Sequence, residues 1–172
     1  MTDERLFLAL WPDSRVRQGL LGIRDGLPGF RGRPTHPEDM HITLVFLGDV
    51  DAQRRACVEA VADKTTAPAF DLVIDQIGFW RRPRILWCGP TETADALKSL
   101  VRNLGNGLKD CGFEPERRPY SAHITLARKA RPVRFQELER PLSWPVGEFV
   151  LVASRTGGEP PRYRVLKRWT LW

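Results

Sequence analysis

Two histidines occupy equivalent positions in a repeated tetrapeptide. His-Ile-Thr-Leu occurs at residues 41–44 and again at residues 123–126. From the composition of the chain, a second copy is expected by chance in about one such chain in a thousand. In a β-strand, residues two apart project from the same face, so His and Thr lie on one face and Ile and Leu on the other. Each copy therefore offers one titratable ring and one hydroxyl to a common face.

Paired imidazoles suit a reaction that needs one base and one acid near neutral pH. An ordinary histidine pKa of about 6.5 allows one ring to be neutral while the other is protonated. Phosphodiester cleavage has this demand, because one ring takes a proton from the attacking hydroxyl or water and the other protonates the leaving oxygen. The sequence thus predicts His41 and His123 as the catalytic pair, with the hydroxyls of Thr43 and Thr125 donating to the non-bridging phosphate oxygens.

Metal-binding patterns do not accompany these histidines. The sequence contains no HxH, HExxH or CxxC motif, and a zinc site needs a third clustered ligand. We therefore expect catalysis without a metal ion or another cofactor.

The elements that would position the histidines recur in both halves of the chain. The segment RLFLALWPD at residues 5–13 resembles RILWCGPTE at residues 84–92, and each precedes a helical pattern and then the tetrapeptide. Two strand-helix-strand lobes related by an approximate two-fold would place His41 and His123 symmetrically in a shared groove. Hydrophobic periodicity predicts strands at 6–10, 41–47, 70–77, 84–88, 123–127, 148–154 and 162–169, helices at 14–27, 51–65 and 91–110, and a helical turn at 135–139.

The composition is typical of a folded protein. The chain has 172 residues, of which 42% are hydrophobic and 28% charged, which excludes a disordered or collagen-like chain. Its apolar runs are too short for a membrane helix. A net charge of +6 favours polyanionic partners. The N-terminus lacks signal-peptide features, and Cys57, Cys88 and Cys111 form no CxxC pair, so we expect reduced thiols, a cytosolic location and no contact with membranes.

Several segments together resemble the two-histidine (2H) phosphoesterase superfamily, and within it the RNA 2′,3′-cyclic phosphodiesterases, also called 2′-5′ RNA ligases. The resemblance implies an α+β fold in which residues 1–172 form a single domain of two pseudo-symmetric, interleaved lobes. Each lobe would be an antiparallel β-sheet with helices on its outer face, and the lobes would enclose a central groove. One departure is Ala122, where members of the family often have proline before the second histidine. The segments that carry the resemblance are RLFLAL, MHITLVFLGDV, PRILWCGP, SAHITLAR and FVLVASRT followed by GGEPPRYRVLKRW.

The resemblance also implies an activity and a role for each residue. The activity is the metal-independent opening of an RNA terminal 2′,3′-cyclic phosphate to a 2′-phosphate. His41 would donate a proton to the departing 3′ oxygen, and His123 would accept one from water. Arg128 in HITLAR would contact the phosphate, although strand alternation places its side chain on the face opposite His123.

Other functions are compatible with the same motifs. They are a phosphodiesterase for a small cyclic nucleotide of the ADP-ribose cyclic phosphate type, and a catalytically silent module that binds RNA ends. Weak ATP-independent 2′-5′ ligation would be a reverse reaction in which a 5′-hydroxyl replaces water. The expected partners are accordingly RNA 3′ ends or small cyclic-phosphate nucleotides, and the expected state is a monomer.

Four further side chains are expected to lie outside the chemistry. His36 stands between two prolines in a predicted loop, which indicates an exposed residue. Trp80, Trp87 and Tyr120 could stack on a nucleobase. Aromatic residues on strands more often fill hydrophobic cores, so we expect all three to be core residues.

Overall fold

Nine strands form one antiparallel sheet in the computed structural model, which describes residues 3–172. The strands are β1 (Glu4–Leu10), β2 (Arg33–Pro34), β3 (Ile42–Val50), β4 (Phe70–Trp80), β5 (Ile85–Gly89), β6 (Ile124–Arg128), β7 (Gln136–Val146), β8 (Glu148–Ser154) and β9 (Tyr163–Thr170). The helices are α1 (Ser14–Asp25), α2 (Ala52–Lys64) and α3 (Asp95–Leu108), with 3-10 turns at Pro37–Asp39 and Lys109–Cys111.

The sheet consists of two four-stranded halves that meet at its centre. Its strand order is β7-β4-β5-β6-β3-β1-β8-β9, and the short β2 pairs with β6 outside this path. The two central strands, β6 and β3, share the single residue pair Ile42 and Ile124. The halves are interleaved in the chain, because β4 joins the second half while β8 and β9 return to the first. The predicted α+β fold with two antiparallel lobes is therefore correct, and the lobes are continuous through one sheet.

The helices cover one face of the sheet. Ile42 and Ile124 are fully buried in one core with the leucines of α3, whereas Thr43 and Thr125 project from the other face. α1 follows β1 yet contacts β7, and α3 follows β5 yet contacts β3. Each of these helices therefore packs on the half of the sheet that does not contain the strand preceding it. This crossing connects the two halves. None of the helices within residues 3–172 has the length and apolarity that crossing a bilayer requires.

Aspartates determine where two of the helices begin. Asp13 and Asp51 accept hydrogen bonds of 2.8 Å from the main-chain N–H groups of Val16 and Arg54, which satisfies free donors in the first turns of α1 and α2. α3 begins at Asp95 rather than at residue 91. The main chain and hydroxyl of Thr91 both donate to the Asp75 carboxylate, so this residue belongs to the preceding loop.

The predicted helical turn at residues 135–139 is wrong, because residues 136–139 belong to β7. β7 pairs only with β4 and lies at the edge of the sheet. Most of its side chains are exposed, so it lacks the alternation that identifies a half-buried strand. Pro141 and Pro145 are compatible with an edge strand, where a missing N–H group leaves no partner unpaired.

The cysteines also differ from the expectation. Cys57 in α2 and Cys111 after α3 form a disulfide bond, and only Cys88 is free within residues 3–172. The two bonded residues are 54 positions apart. Because the pairing depends on how α2 packs against α3, local spacing in the sequence could not indicate it.

Candidate active site

A groove lies on the sheet face that the helices leave uncovered. It encloses about 370 Å³ and spans the junction between the two halves of the sheet. The five residues predicted from the sequence all line it: His41, Thr43, His123, Thr125 and Arg128. The groove therefore brings together both repeated motifs and the arginine that follows the second one.

Both histidines are held in the same way by the main chain. Nδ1 of His41 lies 2.7 Å from the carbonyl oxygen of Asp39, and Nδ1 of His123 lies 3.0 Å from that of Ser121. A carbonyl oxygen only accepts, so each Nδ1 carries the proton and donates. In each motif the acceptor is two residues before the histidine. The neutral form of each ring therefore keeps the lone pair of Nε2 for chemistry, and the Nε2 of His41 lies 3.0 Å from Thr43 Oγ1.

A matching irregularity in β3 and β6 explains how the Arg128 side chain reaches the groove despite the strand alternation. Along β6 the residues opposite Leu86 and Trp87 are Ala127 and Thr125, so β6 contains one extra residue. Such a bulge reverses the alternation of side chains. Leu126 and Ala127 are consequently both buried, and the next side chain, Arg128, returns to the groove. Strand alternation without the bulge placed Arg128 on the wrong face.

β3 has the equivalent bulge, which brings Phe46 to the groove. Leu8 and Ala9 face Val45 and Thr43, so Leu44 is the additional residue. Phe46 precedes Arg128 by 82 residues, the offset between the two motifs, and its side chain is 58% exposed. The guanidinium carbon of Arg5 lies 5.1 Å from the centre of its ring. The 82-residue offset of the repeat was a usable signal for Phe46, which is not among the residues predicted from the sequence.

Burial makes both histidines weaker bases than usual. Removal from water lowers the pKa of His41 to about 4, against the opposing effect of the Asp39 carbonyl. The rings of Phe7, Trp11 and Tyr163 surround it at centroid distances of 4.8, 5.4 and 5.2 Å.

The pKa of His123 is also lowered, first by burial and then by the Arg128 cation, while the Ser121 hydrogen bond acts in the opposite direction. The edge of Trp80 lies against this ring, with the centroids 4.5 Å apart. In the protein alone both rings are therefore neutral at pH 7. A bound anion would raise both pKa values.

Asp39 connects the first histidine to another part of the chain. Its carboxylate is 6% exposed and accepts hydrogen bonds from the main-chain N–H groups of Arg162 and Tyr163, at distances from 3.0 to 3.2 Å. Asp39 thus orients His41 through its carbonyl and fixes the start of β9 through its side chain. No local motif pointed to this residue, because its partners are more than a hundred positions away.

The histidine and the three aromatic residues that were expected to lie outside the chemistry differ in their surroundings. His36 lies in a loop, as expected, but it lines the groove and is half-buried rather than exposed. Its Nδ1 accepts a hydrogen bond from the Glu38 N–H. Tyr120 packs on the main core, as expected, and its hydroxyl donates to the Thr43 carbonyl at 2.9 Å. Trp87 packs against Trp80, with the ring centroids 5.2 Å apart. Within residues 3–172, no three His, Cys, Asp or Glu side chains come close enough to hold a metal ion.

Known proteins are similar to this chain in sequence and in fold. A family model described as "LigT like Phosphoesterase" matches residues 10–87 and 88–163, so that its two copies correspond to the two halves of the repeat. An RNA 2′,3′-cyclic phosphodiesterase of Escherichia coli K12 is 33% identical over 98% of this chain and 97% of its own. Another protein of that name, from Thermotoga maritima, is 30% identical over 94% of this chain and 92% of its own. A crystal structure of E. coli LigT complexed with 3′-AMP superposes with a TM-score of 0.89 at 33% identity, and covers 98% of both chains.

Proposed function

The chain belongs to the LigT-like phosphoesterase family, and on that basis we propose that it hydrolyses the 2′,3′-cyclic phosphate at the end of an RNA chain to a 2′-phosphomonoester. Relatives that align along almost their whole length carry the name of this activity. The observation that carries the proposal is the matched pair of histidines. Each presents Nε2 to one groove, with its Nδ1–H held by a main-chain carbonyl.

The reaction needs one proton removed and one supplied. His123 Nε2 takes a proton from a water molecule as its oxygen attacks phosphorus. The bond between phosphorus and the 3′ oxygen breaks, and protonated His41 gives its Nε2 proton to that oxygen. The product is a 2′-phosphomonoester with a free 3′-hydroxyl. Proton exchange with solvent then restores both rings.

The two environments support this division of roles. His123 makes its Nδ1 hydrogen bond in a more exposed setting than His41, so water reaches it more readily. His41 is surrounded by aromatic rings, which exclude competing water from the leaving oxygen. The negative charge of a bound phosphodiester favours the protonated form that a donor must have.

Three further groups would stabilise the charge that builds on the phosphate. The hydroxyls of Thr43 and Thr125 and the guanidinium of Arg128 line the same groove as the histidines. Hydroxyl donors and a guanidinium match the non-bridging oxygens of the transition state. Phe46 offers an exposed aromatic face for the terminal base, a contact worth about 1–3 kcal/mol in single-stranded complexes.

Product analysis tests the proposal directly. We would supply an RNA that ends in a 2′,3′-cyclic phosphate, in buffer containing EDTA, and identify the products by chromatography. A 2′-monoester is the expected product, and a 3′-monoester or no reaction would overturn the proposal. His41→Ala and His123→Ala should each lower kcat by about 10²–10⁴, whereas a catalytically silent module would hydrolyse nothing even as wild type. A reaction with an added 5′-hydroxyl RNA measures ligation in the same assay.

A further inference from the structure

Three basic segments that are distant in the sequence come together beside the groove. They are residues 31–33 (RGR), 81–84 (RRPR) and 128–134 (RKARPVR). They contain nine of the 27 Lys and Arg residues and none of the 21 Asp and Glu residues, so 18 basic and 21 acidic residues remain elsewhere. The positive excess of the whole chain is therefore concentrated here. We call this surface the basic rim, and its members are Arg31, Arg33, Arg81, Arg82, Arg84, Arg128, Lys129, Arg131 and Arg134.

The main chain holds these segments together. Arg33 is paired with Arg128 between β2 and β6, and the Arg131 N–H donates to the Arg31 carbonyl at 3.1 Å. The carbonyl of Arg84 accepts from the Ala130 N–H at 3.2 Å, and its guanidinium donates to the Ala130 and Lys129 carbonyls. Backbone contacts thus keep the three like-charged segments next to one another.

Gly32 permits the closest of these approaches. A Cβ atom at this position would lie 2.9 Å from the Ala130 Cα and 3.0 Å from the Arg128 carbonyl oxygen. Only a residue without a side chain allows residues 31–33 to lie so near β6. The close packing of residues 31–33 against residues 128–130 in the basic rim therefore depends on the glycine at position 32.

The cations of the basic rim are not neutralised by neighbouring acids. All nine residues are exposed, and in the described part of the chain none of them forms an ion pair with a carboxylate. A neighbouring pocket on the β1 and β8 side differs, because its lining combines the acids Asp3, Glu4 and Asp49 with Arg5, Arg155 and Arg164. Glu4 there pairs with Arg55 and Arg164. The electrostatic attraction for a polyanion is therefore directed to one side of the groove.

We propose that the basic rim binds the phosphate backbone of the RNA segment 5′ to the cyclic-phosphate end. This inference rests on the proposed function. Arg33 and Arg128 belong both to the basic rim and to the groove lining, so a strand that leaves the site meets the other cations directly. A mononucleotide has no such backbone. The basic rim would thus give the enzyme a preference for RNA ends over small cyclic nucleotides.

The test compares two substrates and two charge-matched variants. The substrates are a nucleoside 2′,3′-cyclic phosphate and an RNA of about ten nucleotides with the same end. The rim variant is Arg81→Gln/Arg131→Gln/Arg134→Gln, three exposed side chains outside the groove lining. The control variant is Lys98→Gln/Arg102→Gln/Lys109→Gln, which removes the same charge from α3 and its following turn on the opposite face.

The expected result is selective. In the rim variant, kcat/KM for the RNA falls by about fivefold or more. The slope of log kcat/KM against log salt concentration becomes shallower by about 2, because each of the three lost phosphate contacts on a single strand contributes about 0.7. The mononucleotide value stays within about twofold. Equal losses for both substrates, or an equal loss of RNA activity in the control variant, would overturn the proposal.

Failure of the proposed function would give a different result. The wild type would then hydrolyse neither substrate. Binding still tests the basic rim in that case, by fluorescence anisotropy with a labelled RNA of the same length that ends in a 2′-phosphate. A Kd raised about fivefold in the rim variant but not in the control supports the basic rim, and unchanged binding refutes it.

Discussion

The Tyr120 hydroxyl donates a hydrogen bond of 2.9 Å to the main-chain carbonyl oxygen of Thr43. Thr43 lies in β3, whereas Tyr120 lies in the loop that precedes β6. These two central strands share only the pair Ile42 and Ile124. Tyr120 leads into the second motif, and Thr43 is part of the first. Burial raises the pKa of Tyr120, so its hydroxyl remains a donor. This hydrogen bond therefore joins the two histidine motifs, whose strands share a single residue pair.

Removal of the Tyr120 hydroxyl should therefore disturb catalysis more than substrate binding. In Tyr120→Phe the ring still packs, but the Thr43 carbonyl loses its partner, at a cost of about 1–3 kcal/mol. We expect kcat to fall by about tenfold with KM nearly unchanged, since small displacements of reacting groups lower rates strongly. Steady-state kinetics with the cyclic-phosphate RNA would measure both parameters.

A matched control separates positioning from stability. Thr65→Val deletes another hydroxyl that donates to a carbonyl, that of Val61 at 2.8 Å, at the end of α2 and away from the groove. Both variants should lose stability to urea, while only Tyr120→Phe should lose kcat. An equal fall in kcat for both would show that Tyr120 acts through stability alone.

The activity should depend on pH in a way that reports the two lowered histidine pKa values. The proposed reaction needs one protonated and one neutral ring, so kcat/KM peaks between the two pKa values of the free protein. The pKa of His41 is lowered to about 4 and that of His123 is also lowered from the ordinary value of about 6.5. We therefore expect kcat/KM to be declining already at about pH 6.5 and to fall further as the pH rises.

The profile of kcat should differ from that of kcat/KM. A bound phosphodiester anion raises both pKa values, which moves the declining limb of kcat to higher pH. Initial rates at saturating and at low substrate, from about pH 4 to pH 9, would measure both profiles. A flat profile for both parameters would contradict a pair of essential imidazoles.

Much of the site could be predicted from the sequence because the repeat displays it twice. Residues 41–44 and 123–126 gave the catalytic candidates directly, since two copies of one tetrapeptide specify both residue type and strand face. Arg128 and Phe46 depend on a bulge that simple alternation does not include. Once one bulge is known, the 82-residue offset predicts the other.

The missed features depend on contacts between distant parts of the chain. β7 is an exposed edge strand whose pattern carries no hydrophobic alternation. The carboxylate of Asp39 contacts Arg162 and Tyr163, and Cys57 reaches Cys111 only when α2 packs against α3. Periodicity reports which face of an element is buried, but it does not report which elements meet. Such pairings therefore require the folded structure.

Protein stability should also depend on the titration of His41. Its pKa is about 4 in the folded protein and about 6.5 when unfolded. The unfolded chain therefore binds more protons between these values, so the free energy of unfolding rises with pH from about 4 to about 6.5. The contribution of this residue is at most about 3 kcal/mol and is constant above that range. Urea unfolding at a series of pH values should show a shallower pH dependence in His41→Asn, and an identical dependence in both proteins would refute this assignment.

The number of titratable thiols should show whether the Cys57–Cys111 bond exists in the purified protein. Cys88 is fully buried and free, so it reacts only after unfolding. We expect one thiol per chain in denaturant without reductant and three after reduction, measured with a chromogenic disulfide reagent. Cys88→Ser should lower both counts by one. The bond closes a separation of 54 residues, so its reduction should destabilise the fold by about 2–4 kcal/mol. Three thiols in the unreduced protein would instead support the reduced state that the cysteine spacing predicted.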